Sequence, residues 1–267
     1  MAEILKKSEI DPHEIAGISV SACSPCCVLV DREGNALKRS PIWMDRRAQE
    51  ECEQIRNIYE DEAIFQVSAN PLDPHSGAVK LLWEKNHNPE LYRKTYKMLN
   101  PANYIAMKLT GEFVTDYSNA SRTMLFDINK LCVDEELCKL LNIPMCVLPQ
   151  PVPSSMVYGT VDRHLKGLEM LEGTPISGSA GDQAAALFGQ GCFKPGQAKN
   201  TYGTGCFTLL NTGTESVRSS RGLLTSVAWS MDGKTTYALE GSAFNAGSAL
   251  QWLRDECHII AAAHECD

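Results

Sequence analysis

The sequence has no long apolar run, no excess of positive charge and no paired metal-binding motif, and each absence removes a class of protein. None of its hydrophobic stretches approaches the roughly 20 residues that a membrane-spanning helix requires, so no membrane partner is expected. Its 267 residues carry 25 Lys and Arg against 33 Asp and Glu, a formal net charge of −8. A general nucleic-acid binder would need a basic face, whereas a nucleotide ligand needs only local positive potential. Behind the lysines of the segment Met1 to Asp11 there is no apolar stretch, so no export signal is read there. The 11 cysteines are accordingly read as reduced thiols in a cytoplasmic protein. No second C-x-x-C or His pair completes a tetrahedral set around Cys23-Ser-Pro-Cys26-Cys27. That cluster reads as part of two buried strands and a turn, with a metal or redox site at Cys23, Cys26 and Cys27 as the other reading. No Lys-Ser/Thr follows the Gly-Thr-Gly at 203–205, so it is not a Walker A loop.

What is present is enough apolar material, 43% of the residues, for the core of one large or two ordinary domains. Ile15 to Val20 and Cys26 to Val30 are expected as strands joined by a Ser-Pro turn. Asp45 is expected to cap a helix on which Ala48, Cys52, Ile55 and Tyr59 share an apolar face. Further helices are expected near Lys80 to Asn86, Asn100 to Gly111, Asp134 to Leu141, Asp182 to Gly189 and Phe244 to Ile260. The Gly/Pro-rich run Gly189 to Gly196 reads as a hinge. Beyond it short strands follow: Ala198 to Tyr202, Cys206 to Leu210, Leu223 to Trp229 and Thr235 to Leu239. Helices mixed with strands give an α/β class, with hairpins past the hinge.

Two segments carry chemistry. In Ile176 to Leu187, Gly178 and Gly181 are expected to permit a sharp turn where a Cβ would obstruct. Asp182 would then stand at the carboxyl end of a strand, where open α/β sheets bind ligands. A carboxylate there can accept the proton of an attacking hydroxyl, or it can simply cap the helix that follows. In Asn200 to Leu210, Gly203-Thr204-Gly205 either aims backbone N–H groups at an anion or forms an ordinary tight hairpin. Gly247 and Gln251 lie one helical turn apart and would receive an adenine or ribose, or else pack a helix closely. Trp43 reads as a sugar-stacking wall or as core, and His75 as a substrate contact or a polar loop residue.

The segment Ser177 to Gly213, with GDQAAALFGQGCFKPGQAKNTYGTGCFTLLNTG, resembles the central region of the FGGY carbohydrate kinase family, in its glycerol kinase and xylulokinase-like branches. Trp43-Met-Asp45-Arg-Arg47, Lys80-Leu-Leu-Trp83, Thr115 to Thr123, Tyr237 to Ser242 and Gln251-Trp-Leu-Arg254 match as well. The resemblance implies an actin-like, ribonuclease H-like two-domain α/β fold that closes on ATP with Mg2+. Residues 1–191 would hold the substrate and catalytic base, and residues 192–267 the nucleotide side. By the same resemblance Asp182 is the catalytic base and Gln183 its neighbour at the substrate. Trp43, His75 and Phe207 line the substrate pocket, and Gly203, Thr204, Gly205, Gly247 and Gln251 face the nucleotide.

The departures from the family bear on specificity. The Arg-Glu pair that grips glycerol hydroxyls is missing near Ala22-Cys23-Ser24, His75 stands where glycerol kinases usually carry Tyr, and Gly77 replaces a usual Ser, Thr or Pro. The first two changes favour another sugar or polyol over glycerol. Family members also begin with an Asp-x-Gly-Thr phosphate loop and continue past Gln251 through a Gly-rich adenosine site, so the chain is expected to be a fragment incomplete at both ends. The expected activity is ATP-dependent phosphorylation of a hydroxyl on a xylulose-like or glycerol-like substrate, compatible with a homo-oligomer. The alternative is an inactive fragment that only binds ligand or partner subunits.

Overall fold

The computed structural model describes residues 1–266. Two sheets position everything that follows. In the first, Ile18–Ala22 runs parallel to Pro175–Gly181, which pairs antiparallel with Ser155–Thr160 on its other side. The helix Pro101–Thr110 covers this sheet, burying Ala102, Ala106 and Leu109 with Val20, Tyr158 and Ile176. Its limits follow from its ends: Pro101 supplies a preset first-turn φ, and Gly111 closes it in the left-handed region at φ 81°. The second sheet is antiparallel throughout, in the order Ala198–Tyr202, Cys206–Gly213, Lys234–Ala243, Leu224–Met231.

The helix Asp182–Gly189 joins the two sheets. It leaves the end of Pro175–Gly181, and its Leu187 is buried with Cys192, Leu209, Ala228 and Ala238. A second joint buries Ala69, Ala120, Phe126 and Ile128 against Val227 and Tyr237. The Tyr237 hydroxyl donates to Ile128 O at 2.7 Å. The largest core gathers Leu29, Ile55, Ile64, Leu81 and Leu125 beneath the helices Gln49–Arg56, Asp61–Ser68 and Gly77–His87. Among the described residues no helix is long and apolar enough to cross a membrane.

Three local expectations are corrected. Ile18–Ala22 and Val28–Val30 do not share a sheet: Val28–Val30 pairs with Lys97–Leu99. The chain leaves the first sheet after Ala22, and Asn100 Oδ1 takes the Cys26 N–H at 3.1 Å. Asp45 does not cap a helix. The helix starts at Gln49 behind Ala48, and the Asp45 carboxylate is held by Arg47, with Nη2 to Oδ2 at 2.6 Å. The same carboxylate accepts the Arg47 backbone N–H at 3.0 Å, so it closes its own short turn ahead of the helix. The last helix spans Gly247–Asp255 only, and His258, at φ 52°, breaks the helical path soon after.

Candidate active site

The turn that presents Asp182 is built by a buried network. Asp116 is completely buried and caps the short helix Tyr117–Ala120, accepting from Ser118 N at 2.8 Å and Asn119 Nδ2 at 2.6 Å. The Ser118 hydroxyl donates to Asp116 and accepts the Gly181 N–H at 2.9 Å. Burial pushes the Asp116 carboxyl above the usual range, and the hydrogen bonds from Ser118 and Asn119 oppose it. The matched motif Thr115 to Thr123 therefore holds the end of the strand that leads into Asp182. The glycines divide the labour unequally. A Cβ on Gly178 would lie 3.2 Å from Ser19 Oγ and 3.3 Å from Ser154 O, whereas one on Gly181 would meet nothing nearer than 3.8 Å. With φ −58°, Gly181 is not there to permit a strained turn.

Asp182 is the first residue of its helix, not the cap. Gly181 occupies that position, and no side chain caps the helix. The Asp182 carboxylate, half-buried, accepts only from its neighbour, Gln183 Nε2, at 3.0 Å. Gln183 Oε1 in turn accepts from Lys199 Nζ, which also donates to Thr201 Oγ1 at 2.9 Å and to Phe207 O at 3.2 Å. Lys199 is 3% exposed. Burial lowers its pKa, and the Glu240 and Asp182 carboxylates oppose that shift. A buried cation is thus tied through one glutamine to the carboxylate that faces open space.

That space is a cavity of about 300 Å³ between the two sheets, and Trp43, His75, Asp182, Gln183 and Phe207 all line it. Phe244 completes an aromatic wall. Its ring stacks on His75 at 4.7 Å and lies 6.0 Å from Trp43, which meets Phe207 edge-on at 5.6 Å. His75 is fixed from behind by Asp73, which accepts from both its ring Nδ1 and its backbone N–H. Burial would raise the Asp73 carboxyl, but these bonds hold it below its ordinary value. On the opposite wall Arg122 Nη1 meets Glu240 Oε2 at 3.3 Å.

Phe244, Arg122, Glu240 and Asp73 were absent from the residues expected at the site. Arg122 and Glu240 sit inside matched motifs, and the strand register explains the second. Phe207 pairs with Ser242 and Leu209 with Glu240, so all four point to one face of the sheet.

The residues expected at the nucleotide gather at one end of the second sheet but do not line the cavity. Gly203-Thr204-Gly205 is the hairpin turn between Ala198–Tyr202 and Cys206–Gly213. Gly203 N–H closes the turn on Gly205 O at 2.8 Å, and Thr204 O accepts from Ala246 N and Ser248 Oγ, both at 2.9 Å. Neither glycine has positive φ. A Cβ on Gly205 would lie 2.8 Å from Ala243 O, and one on Gly247 only 2.6 Å from Gly203 O. Gly247 thus allows the helix Gly247–Asp255 to touch the turn, and Gly205 allows the turn to approach the end of the strand Lys234–Ala243. Gln251 is exposed on that helix. Among the described residues no group of three or more His, Cys, Asp or Glu could hold a metal ion, which leaves the metal reading of Cys23, Cys26 and Cys27 without support.

A strand-to-helix turn that offers a carboxylate to a cleft between two sheets has counterparts among known proteins. The pattern of the N-terminal domain of the FGGY family of carbohydrate kinases matches residues 1–189, and that of its C-terminal domain matches residues 198–267. The chain belongs to this family and has its actin-like two-domain fold. It is 44% identical to a glycerol kinase of Listeria innocua over 275 residues, covering all of this chain and 54% of that protein. A glycerol kinase of a Thermoanaerobacter species is likewise 44% identical over 264 residues, or 96% and 52% of the two chains. Among solved structures, Plasmodium falciparum glycerol kinase with ADP superposes with a TM-score of 0.82 at 35% identity, covering 90% of this chain and 48% of that one. Xylulose kinase from Rhodospirillum rubrum gives 0.86 at 27% identity, covering 99% and 54%. The chain spans about half the length of the curated relatives it matches.

Proposed function

We propose that the cavity is the acceptor site of an ATP-dependent sugar or polyol kinase, with Asp182 as general base. The observation that carries this reading is a carboxylate free of capping duty, oriented by Gln183 and Lys199, at the wall of a cavity that combines aromatic and polar faces. Aromatic rings stack on the C–H faces of a polyol or sugar while His75, Arg122 and Glu240 meet its hydroxyls. The acceptor hydroxyl gives its proton to Asp182 as its oxygen attacks the γ-phosphorus. The bond from that phosphorus to the β-phosphate oxygen breaks, and ADP leaves. Mg2+ enters as part of the nucleotide substrate and neutralises phosphate charge. In this reading residues 1–191 form the acceptor and base side, and residues 192–267 the nucleotide side. There Gly203, Thr204, Gly205, Gly247 and Gln251 face the nucleotide. A xylulose-like or glycerol-like acceptor is favoured by the relatives described above, which are named as glycerol and xylulose kinases.

The second reading is binding without transfer. It is favoured by the turn at Gly203 to Gly205, whose Gly203 N–H and Thr204 carbonyl are spent inside the fold. ADP release measured across glycerol, D-xylulose and related polyols separates the two. The kinase reading expects turnover with at least one acceptor and a loss of about 10²- to 10⁴-fold in Asp182→Asn, with nucleotide binding retained. Turnover near normal in that variant would sink the assignment of the base. Polyol binding without ADP release from the unaltered chain would leave the binding reading in its place.

A further inference from the structure

The thiols of Cys23 and Cys26 stand 3.7 Å apart in the wall of the acceptor cavity. The two residues differ in everything else. Cys23 is exposed and lines the cavity together with Ser24 and Pro25, whereas Cys26 is buried. The backbone beneath them is pinned. Asn100 Oδ1 holds the Cys26 N–H at 3.1 Å, and the buried ammonium of Lys80 donates to Pro25 O at 3.2 Å and to Ile42 O at 2.9 Å. Closing the sulfurs from their present separation to a bond of about 2.0 Å is therefore within reach of the exposed Cys23 side chain.

We propose that Cys23 and Cys26 are a reversible dithiol–disulfide modification site, oxidised by hydrogen peroxide, with Cys23 as the attacking thiol and Cys26 as the resolving one. In the first step the Cys23 thiolate attacks a peroxide oxygen, the O–O bond breaks, and the departing hydroxide takes up the Cys23 proton as water. In the second, Cys26 Sγ attacks the Cys23 sulfenic sulfur, the S–O bond breaks, and a second water leaves with the Cys26 proton. Two thiols and one peroxide thus give one disulfide and two waters. The order of events follows from exposure. Burial pushes the Cys26 thiol up to about 12, the neighbouring Cys23 adds to this, and Lys80 pulls the other way, so Cys26 stays protonated until its partner has reacted. The chemistry stands on the two sulfurs alone. Only its consequence, a reshaped wall of the acceptor site, rests on the proposed kinase reading.

Peptide mapping of the intact chain by mass spectrometry after graded hydrogen peroxide tests the site without reference to turnover. The expected result is loss of two hydrogen atoms from the peptide holding Cys23 and Cys26, restored by dithiothreitol. It should appear at peroxide doses below those that modify the exposed Cys132 and Cys146, because the neighbouring Cys26 thiol captures the Cys23 sulfenic acid. Cys26→Ser is expected to accumulate a dimedone-reactive sulfenic acid at Cys23, and Cys23→Ser to leave Cys26 unmodified. Circular dichroism on both variants confirms that they fold. Direct passage of Cys23 to sulfinic acid in the unaltered chain, or earlier reaction at Cys132 and Cys146, would overturn the proposal. A failed kinase assay beside a confirmed disulfide would overturn the kinase reading alone.

Discussion

At the residue scale, the carboxylate that faces the cavity is held by a short relay of polar side chains. Asp182 accepts from Gln183 alone, and Gln183 is anchored on Lys199. Asp116, which touches no cavity, holds the turn through Ser118. Its raised pKa fixes a sign for pH dependence. Between the ordinary carboxyl value of about 4 and the higher folded value, the unfolded chain has already lost the proton that the folded chain keeps. Stability contributed at this position therefore falls as pH rises through that window. Asp116→Asn retains an acceptor for the cap and has no such proton. Urea unfolding of the two proteins from pH 4 upward is expected to show the variant gaining on the wild type. A constant difference would mean that Asp116 titrates as an ordinary carboxyl.

At the element scale, the same amino acid serves opposite ends in two helices. Gly247 opens the last helix with its Cα against Gly203 O, so a Cβ would collide with backbone at 2.6 Å. Gly189 closes the helix that carries Asp182, with nothing within 4 Å of a Cβ. Gly247→Ala is expected to cost about 1–3 kcal/mol through overpacking. Gly189→Ala is expected to stabilise by about 0.5–1 kcal/mol by restricting the unfolded chain. Chemical denaturation midpoints of the two variants check the contrast. Equal losses would mean that the turn at Gly203 does not pack closely on the last helix.

At the scale of the whole molecule, Arg122 from the first sheet's side and Glu240 from the second meet across the cavity. Glu240 is 4% exposed and Arg122 18% in their side chains. Removing the arginine strands a buried carboxylate. Arg122→Met is expected to cost about 2–4 kcal/mol, somewhat under the figure for a fully enclosed pair because the guanidinium keeps some water. The double variant Arg122→Met with Glu240→Leu is expected to recover most of that loss, and a thermodynamic cycle over the four proteins measures it. Additive losses would show that the pair is not coupled and that other contacts, such as that of the Tyr237 hydroxyl with Ile128 O, hold the two sides of the cavity.

Much of this was legible in the sequence. The helix Asp182–Gly189 and the strand Ala198–Tyr202 fall where glycine punctuation and periodicity put them, because local propensity and turn chemistry act over a few residues. Trp43, His75, Asp182, Gln183 and Phe207, drawn from four separate segments, do converge on one cavity. Their family pattern already named them, though no spacing could have done so. Asp45 misled because its carboxylate closes a short turn on Arg47, two residues on.

What the sequence by itself determined is the helix Asp182–Gly189, the short strands that follow it, the turn that ends in Asp182 and the family to which the chain belongs. Only the tertiary structure decided that Phe244 closes the aromatic wall, that Glu240 meets Arg122, and that Gly247 lies against the turn at Gly203. Each of these depends on strand register and on the seating of one sheet against the other, contacts between residues far apart in the chain that no local pattern encodes.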